Sequence, residues 1–202
     1  VTIYDLKPAF QNLLRPIVKA LYLAKVTPNI VTLFTFFLSI AVAFILYFNS
    51  QQKWALLLLP IFLFVRMALN AIDGMLAKEH NMRTSLGAIL NEGTDVLADG
   101  LIYLAFISHP LINLQLVILI TWLAAVTEVV GLSALLIGNE RRFDGPMGKS
   151  DRAFAFSVLA LFLALSNFEM QFYTIYLGIV LLLTVLTVMR RGRRALIPRH
   201  RK

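Results

Sequence analysis

Residues 66–99 read RMALNAIDGMLAKEHNMRTSLGAILNEGTDVLAD, two apolar segments joined by a short polar turn, with charged and amide side chains set inside the apolar parts. On the first segment Arg66, Asn70, Asp73 and Ala77 recur at i, i+4, i+7 and i+11; on the second Gly87, Asn91, Asp95 and Asp99 follow at i, i+4, i+8 and i+12. At about 3.6 residues per turn, each set is one stripe along one helix. A charged side chain at the centre of a bilayer costs roughly 2.5–3.5 kcal/mol on insertion scales, so charge in such a segment marks a functional site. Joined by the turn at residues 79–84, the two stripes can face each other across a small polar cavity.

Outward from this stretch the chain is apolar almost throughout. Its 202 residues are 59% hydrophobic with a mean hydropathy of +0.77, a composition that excludes a soluble globule and points to an all-α, polytopic membrane protein forming a single domain over residues 1–202. Six spans are expected, at 29–48, 53–79, 84–107, 111–138, 150–167 and 171–190, each near the ~20 residues that cross ~30 Å of hydrocarbon. They make a six-helix bundle over 29–190. Before it, residues 1–25 form an amphipathic helix: Leu6, Phe10, Leu13, Leu14, Ile17, Val18 and Leu21 share one face, with Lys7, Arg15 and Lys19 elsewhere, the pattern of a helix lying in the bilayer interface. Pro16 should kink or divide it. No cleavable signal peptide is expected, because a basic amphipathic stretch precedes the first apolar run.

The formal net charge is +8, carried between and beyond the spans, where anionic membrane lipids rather than nucleic acid are the expected partner. Residues 191–202 form a polybasic tail. Lys25, Lys78, Arg83, Arg141, Arg142, Lys149 and Arg152 lie on one side of the membrane, against Lys53, His109 and Glu169 on the other. The positive-inside rule therefore sets both termini and the 79–84 turn in the cytoplasm. The absence of cysteine excludes disulfides and thiolate metal sites. Trp54 is expected at the interface and Trp122 in packing.

The central stretch resembles the signature of the CDP-alcohol phosphatidyltransferases, D-x-x-D-G-x-x-A-R, eight residues, then G-x-x-x-D-x-x-x-D. Here it reads Asn70, Asp73, Gly74, Ala77, Lys78, then Gly87, Asn91 and Asp95, with every spacing kept. The first and third Asp are replaced by Asn, and the Arg by Lys. The resemblance implies a multi-pass membrane enzyme, expected as a homodimer in a bacterial inner membrane, that transfers a phosphatidyl group from a CDP-linked lipid to a polar alcohol and releases CMP. It implies Mg2+ or Mn2+, one or two ions, held by Asp73, Asp95, Asn70 and Asn91, with Asp95 also the catalytic base. An Asn carbonyl can ligate such a cation but brings no charge. Counting ~1.5 Å per residue from the cytoplasmic helix ends, Asp73 and Asn91 lie ~10 Å deep and Asp95 ~15 Å, where a cytidine head enters from water while acyl chains stay in lipid.

Around that core, the resemblance gives the CDP-lipid Asn29, Thr32, Gly74, Ala77, Lys78, Thr84 and Gly87. Asn29 and Thr32 serve equally as helix caps, as does Thr84, and Lys78 as a topology lysine. Gly74 and Ala77 let a nucleotide lie close to the helix, and Gly87 lets two helices approach. The segment GPMGKSDRA resembles the family's G-K element, and its Lys149 and Arg152, with Arg141, are candidates for an acceptor phosphate. A depth of ~21 Å is shared by Arg66 and Asp99, which are expected to form a structural ion pair, with Glu128 as second choice for Arg66. Glu128 itself is expected in an inward polar contact. A catalytically silent lipid-binding relative and a small transporter are the alternatives; the complete motif spacing argues against the transporter.

Overall fold

The computed structural model describes residues 3–197, with side chains from Ala9 onward. Among the described residues the chain is all-helical, with seven α-helices: α1 Ile3–Leu23, α2 Pro28–Phe48, α3 Lys53–Glu79, α4 Ser85–Leu104, α5 Leu114–Leu136, α6 Lys149–Leu165 and α7 Met170–Ala195, and a 3-10 turn at Ala105–Ser108 after α4. Four of them, α2, α3, α5 and α7, are long and apolar enough to cross a membrane, which makes this a multi-pass membrane protein. Their outward surfaces carry Phe34, Phe37, Ile61, Phe64, Val129 and Ile179, all exposed. Trp122 joins them at 66% exposure: it lies on the outer face of α5 and does not pack inside, as an amphipathic ring at a lipid-facing position can. Trp54, also exposed, opens α3.

The chain forms two compact units, one of residues 1–41 and 61–98, the other of residues 42–60 and 99–202. In the first unit, Leu14 and Val18 of α1 are buried with Val31 of α2 and Ile72, Met75 and Leu76 of α3, and Phe10, Leu21 and Val26 pack against them. The apolar face of α1 is therefore divided: Leu14 and Val18 turn into the protein, while Leu13 and Ile17 stay exposed. Arg15 pairs with Glu79 at 3.3 Å, and Tyr22 stacks on His80. The helix runs unbroken through Pro16.

The turn that brings α4 back alongside α3 is built by its own residues. Asn81 adopts φ +54°, a left-handed conformation that Asn tolerates better than most side chains. Met82 N then donates to Ala77 O at 3.2 Å, the helix-ending bond of a Schellman motif. Thr84 caps α4, its Oγ1 accepting from Gly87 N at 2.9 Å.

In the second unit α5 packs along α7. Its interior stacks Tyr103 on Phe156 at 4.0 Å between ring centroids. Asn113 caps α5, accepting from Leu116 N at 3.1 Å. The loop before α6 is fastened to α7 by Met147 N donating to Thr187 Oγ1 at 2.9 Å. At Gly145, φ is +125° and any Cβ would lie 2.5 Å from Thr187 Cγ2, so only glycine fits that corner. From there α7 continues to Ala195, so residues 191–195 of the polybasic segment are helix; residues 198–202 lie outside the described residues.

Candidate active site

The stripes on α3 and α4 meet. Asn70 Nδ2 donates to Asp95 Oδ1 at 3.1 Å, and Arg66 Nη2 lies 3.4 Å from the same oxygen and 3.3 Å from Asp95 O. Only the amino end of an Asn amide can donate to a carboxylate, which fixes the Asn70 orientation and leaves its carbonyl oxygen facing away from Asp95. Arg66 is 4% exposed, and a guanidinium that deep is retained where carboxylate or backbone carbonyl oxygens meet it. Arg66 thus has Asp95 as a partner, one helical turn before the expected Asp99. Asp99 is itself buried, in the second unit.

One turn further toward the cytoplasmic end expected for α3 lies Asp73, also buried. Thr32 Oγ1 of α2 lies 2.9 Å from Asp73 Oδ2 and 3.0 Å from Pro28 O; its one proton serves one acceptor at a time, and the charged one binds more strongly. Thr32 is therefore a support for Asp73. The cap of α2 is Thr27, whose Oγ1 accepts from Ile30 N at 3.4 Å. Asn29 reaches α4 instead: its Oδ1 lies 2.6 Å from where a Cβ on Gly87 would sit, so the missing side chain at Gly87 is what admits Asn29. Open space lies beside Gly74. Ala77 and Asn91 are half-buried, Lys78 and Thr84 exposed.

Whether these residues suit a divalent cation is decided by their donors. Mg2+ and Mn2+ take oxygen ligands, and carboxylates supply both oxygen and charge. Asp73 and Asp95 are charged oxygen donors, Asn70 and Asn91 neutral ones. Among the described residues no three Asp, Glu or His side chains converge on a metal position. One carboxylate oxygen of Asp95 already accepts from a guanidinium and an amide. Two carboxylates with two neutral amide oxygens suit a divalent cation.

A second polar cluster lies in the other unit, around Glu128 of α5. Arg152 Nη2 is 2.9 Å from Glu128 Oε1, while Arg191 Nη1 at 3.2 Å and Arg141 Nη2 at 3.3 Å share Oε2. Arg152 and Arg191 are almost wholly buried. Arg152 also donates to Thr127 Oγ1 and Met147 O, and Arg191 to Thr127 O and Asp144 O. Gly148 caps α6, with its N donating to Asp151 Oδ2 at 2.9 Å, and Lys149 opens the helix. Burial disfavours the charge on Asp144, but hydrogen bonds and charge from Arg194 and Arg142 outweigh it and hold its carboxyl below the ordinary range.

Of the expected acceptor residues, Arg141 and Arg152 meet at Glu128; Arg191, read in the sequence as part of a basic tail, belongs with them. Its signal was faint: Arg191 is the second in a run of arginines, from Arg190 to Arg194, that carries no pattern of its own. Glu128 makes the inward contact expected of it, with arginines of its own unit.

The chain belongs to the CDP-alcohol phosphatidyltransferase family, whose model matches residues 25–189. It is 44% identical to the inner membrane protein YnbA of Escherichia coli over 197 residues, 98% of each chain. A phosphatidylinositol phosphate synthase of Corynebacterium glutamicum is 34% identical over 97 residues, covering 48% of this chain and 42% of that one. The fold is that of the Mycobacterium tuberculosis phosphatidylinositol phosphate synthase crystallised with CDP-DAG, at TM-score 0.74 and 19% identity over 93% of this chain and 98% of that one. The same synthase with manganese and citrate gives TM-score 0.73 at 19% identity, over 89% and 87%.

Proposed function

We propose that this protein transfers a phosphatidyl or related phospholipid group from a CDP-linked lipid such as CDP-diacylglycerol to an alcohol acceptor, releasing CMP. The observation that carries this reading is the contact of Asn70 with Asp95 at 3.1 Å, which brings the two motif stripes face to face. The acceptor hydroxyl attacks the β-phosphorus, the bond from that phosphorus to the CMP oxygen breaks, and the hydroxyl proton passes to the Asp95 carboxylate. Arg66 and Asn70 hold that carboxylate in place. Mg2+ or Mn2+, held by Asp73 with Asn70, Asn91 and Asp95 oxygens, would neutralise the diphosphate when bound; a synthase of the same fold was crystallised with manganese. Asn29, Thr32, Gly74, Ala77, Lys78, Thr84 and Gly87 line the CDP-lipid's path.

The acceptor carries an anionic group, because Arg141 and Arg152 gather with Arg191 around a single carboxylate and Lys149 opens the adjacent helix. In this reading α4 and α6 also cross the bilayer, making six spans of one domain, α1 lies at the interface, and both termini are cytoplasmic in a bacterial inner membrane. The chain works as a homodimer. Support for one domain comes from the single family match running through both compact units.

A second reading, a CDP-lipid-binding relative without turnover, is favoured by the neutral Asn70 and Asn91. The test is purified protein with CDP-diacylglycerol and a panel of polyols, with and without phosphate, under Mg2+ or Mn2+. CMP release that Asp95→Ala abolishes supports transfer. Tight CDP-lipid binding with no CMP under any metal or acceptor supports the second reading.

A further inference from the structure

We propose that Arg66 is a resident cation of the α3–α4 site: it supplies at Asp95 the positive charge that a metal ion would otherwise bring, so that the site takes a single divalent cation. Its purpose in the reaction rests on the transferase reading above. Three observations converge. Arg66 is buried, at 4% exposure, and its guanidinium lies 3.4 Å from Asp95 Oδ1. Asn70, the neighbour one turn along α3, donates to that same oxygen, so one of the two Asp95 carboxylate oxygens is held by two donors from the chain. Asn91, one turn before Asp95 on α4, adds an oxygen but no charge.

A second dication at Asp95 would have to displace these donors and sit beside a guanidinium of like sign, in surroundings that screen charge poorly. Asp73, one turn away from this cluster, brings the second carboxylate to the single ion. Arg66 is in this sense a positioning residue: it acts on substrate through Asp95 and through the number of ions the site accepts.

The experiment is titration of Mn2+ into the purified full-length chain in detergent, counted from the electron paramagnetic resonance signal of free Mn2+, with no lipid substrate present. Wild type is expected to bind one ion per chain, lost in Asp73→Asn. Arg66→Gln is expected to bind one more ion than wild type, and Arg66→Lys the same number. A gain of metal on removing a buried arginine is not something loss of structure produces. Should Arg66→Gln fail to fold, Asn70→Asp serves, being isosteric: it adds a charge that Arg66 cannot balance and should tighten Mn2+ binding at least tenfold. Two ions in wild type, no gain in Arg66→Gln, or unchanged affinity in Asn70→Asp overturns the proposal. The count is independent of turnover: a chain that releases no CMP but gains an ion in Arg66→Gln removes the transferase reading and leaves this one.

Discussion

The two polar clusters of this protein are opposite in sign. In the first unit Asp73 and Asp95 are set with Arg66; in the second, Glu128 is set among Arg141, Arg152 and Arg191, with the buried Asp99 of the same unit also acting on Arg152. Charge so far from water has to be balanced locally. In the proposed reading the first cluster would take a cation from outside the chain and the second an anion, as a metal-bound diphosphate and a phosphorylated alcohol would each bring. The clusters also differ in what their carboxylates do. Glu128 ties three arginines from α5's following loop, α6 and α7 into one knot, whereas Asp95 sits on a facing helix stripe with its partners one helix away.

This contrast can be broken by removing one carboxylate from each side. Asp95→Ala should lower CMP release by 10²- to 10⁴-fold, the range a general base contributes, while the folded yield on size-exclusion chromatography stays near wild type. Glu128→Ala should do the reverse in order of effect: it leaves buried arginines uncompensated, at a cost of roughly 3–5 kcal/mol, and should show first as lost thermal stability in detergent. If Asp95→Ala unfolds the chain and Glu128→Ala leaves stability untouched, the assignment of roles is wrong.

A smaller effect sharpens the second half of the contrast. Arg141 is the least buried arginine of the Glu128 knot, with its side chain 23% exposed, so Arg141→Ala should raise KM for a phosphate-bearing acceptor about tenfold, the worth of one charge-assisted contact. KM for CDP-diacylglycerol should stay unchanged. Equal loss for both substrates would mean that the arginines serve the fold alone.

The smallest effect concerns His109, a buried imidazole in the loop before α5 whose Nδ1 accepts from Leu111 N. Burial lowers its pKa below the ordinary value of 6.5. The unfolded chain therefore binds more protons than the folded one, and the stability His109 contributes is present above about pH 6.5 and lost as pH falls through its lowered folded value. The unfolding midpoint should drop by a few degrees between pH 7 and pH 5, less so in His109→Asn. A midpoint that rises on acidification contradicts the sign.

What could be read in the sequence was whatever repeats along one helix. The α3 bounds and the spacing of Asn70, Asp73, Asn91 and Asp95 are local properties of a 3.6-residue period, and the Asn81 turn brings those stripes together as the spacing implied. A depth count locates Cα atoms, and a long arginine side chain reaches a full turn, about 5.4 Å, so the count that named Asp99 for Arg66 also admits Asp95, whose Oδ1 lies 3.4 Å from it. The Glu128 knot was out of reach for another reason. Its arginines lie 13 and 24 residues downstream and at the far end of α7, and no periodicity links charges on separate helices. The division of the α1 face was hidden too, because a stripe of leucines looks the same whether it meets protein or lipid.

The claim on which the account turns is that the α3–α4 stripes grip a cation-bound diphosphate, and CDP-diacylglycerol binding by the purified chain with and without Mn2+ tests it most directly. Binding should strengthen at least tenfold with Mn2+ and lose that dependence in Asp73→Asn. Binding indifferent to Mn2+ and unchanged in Asp73→Asn would contradict it.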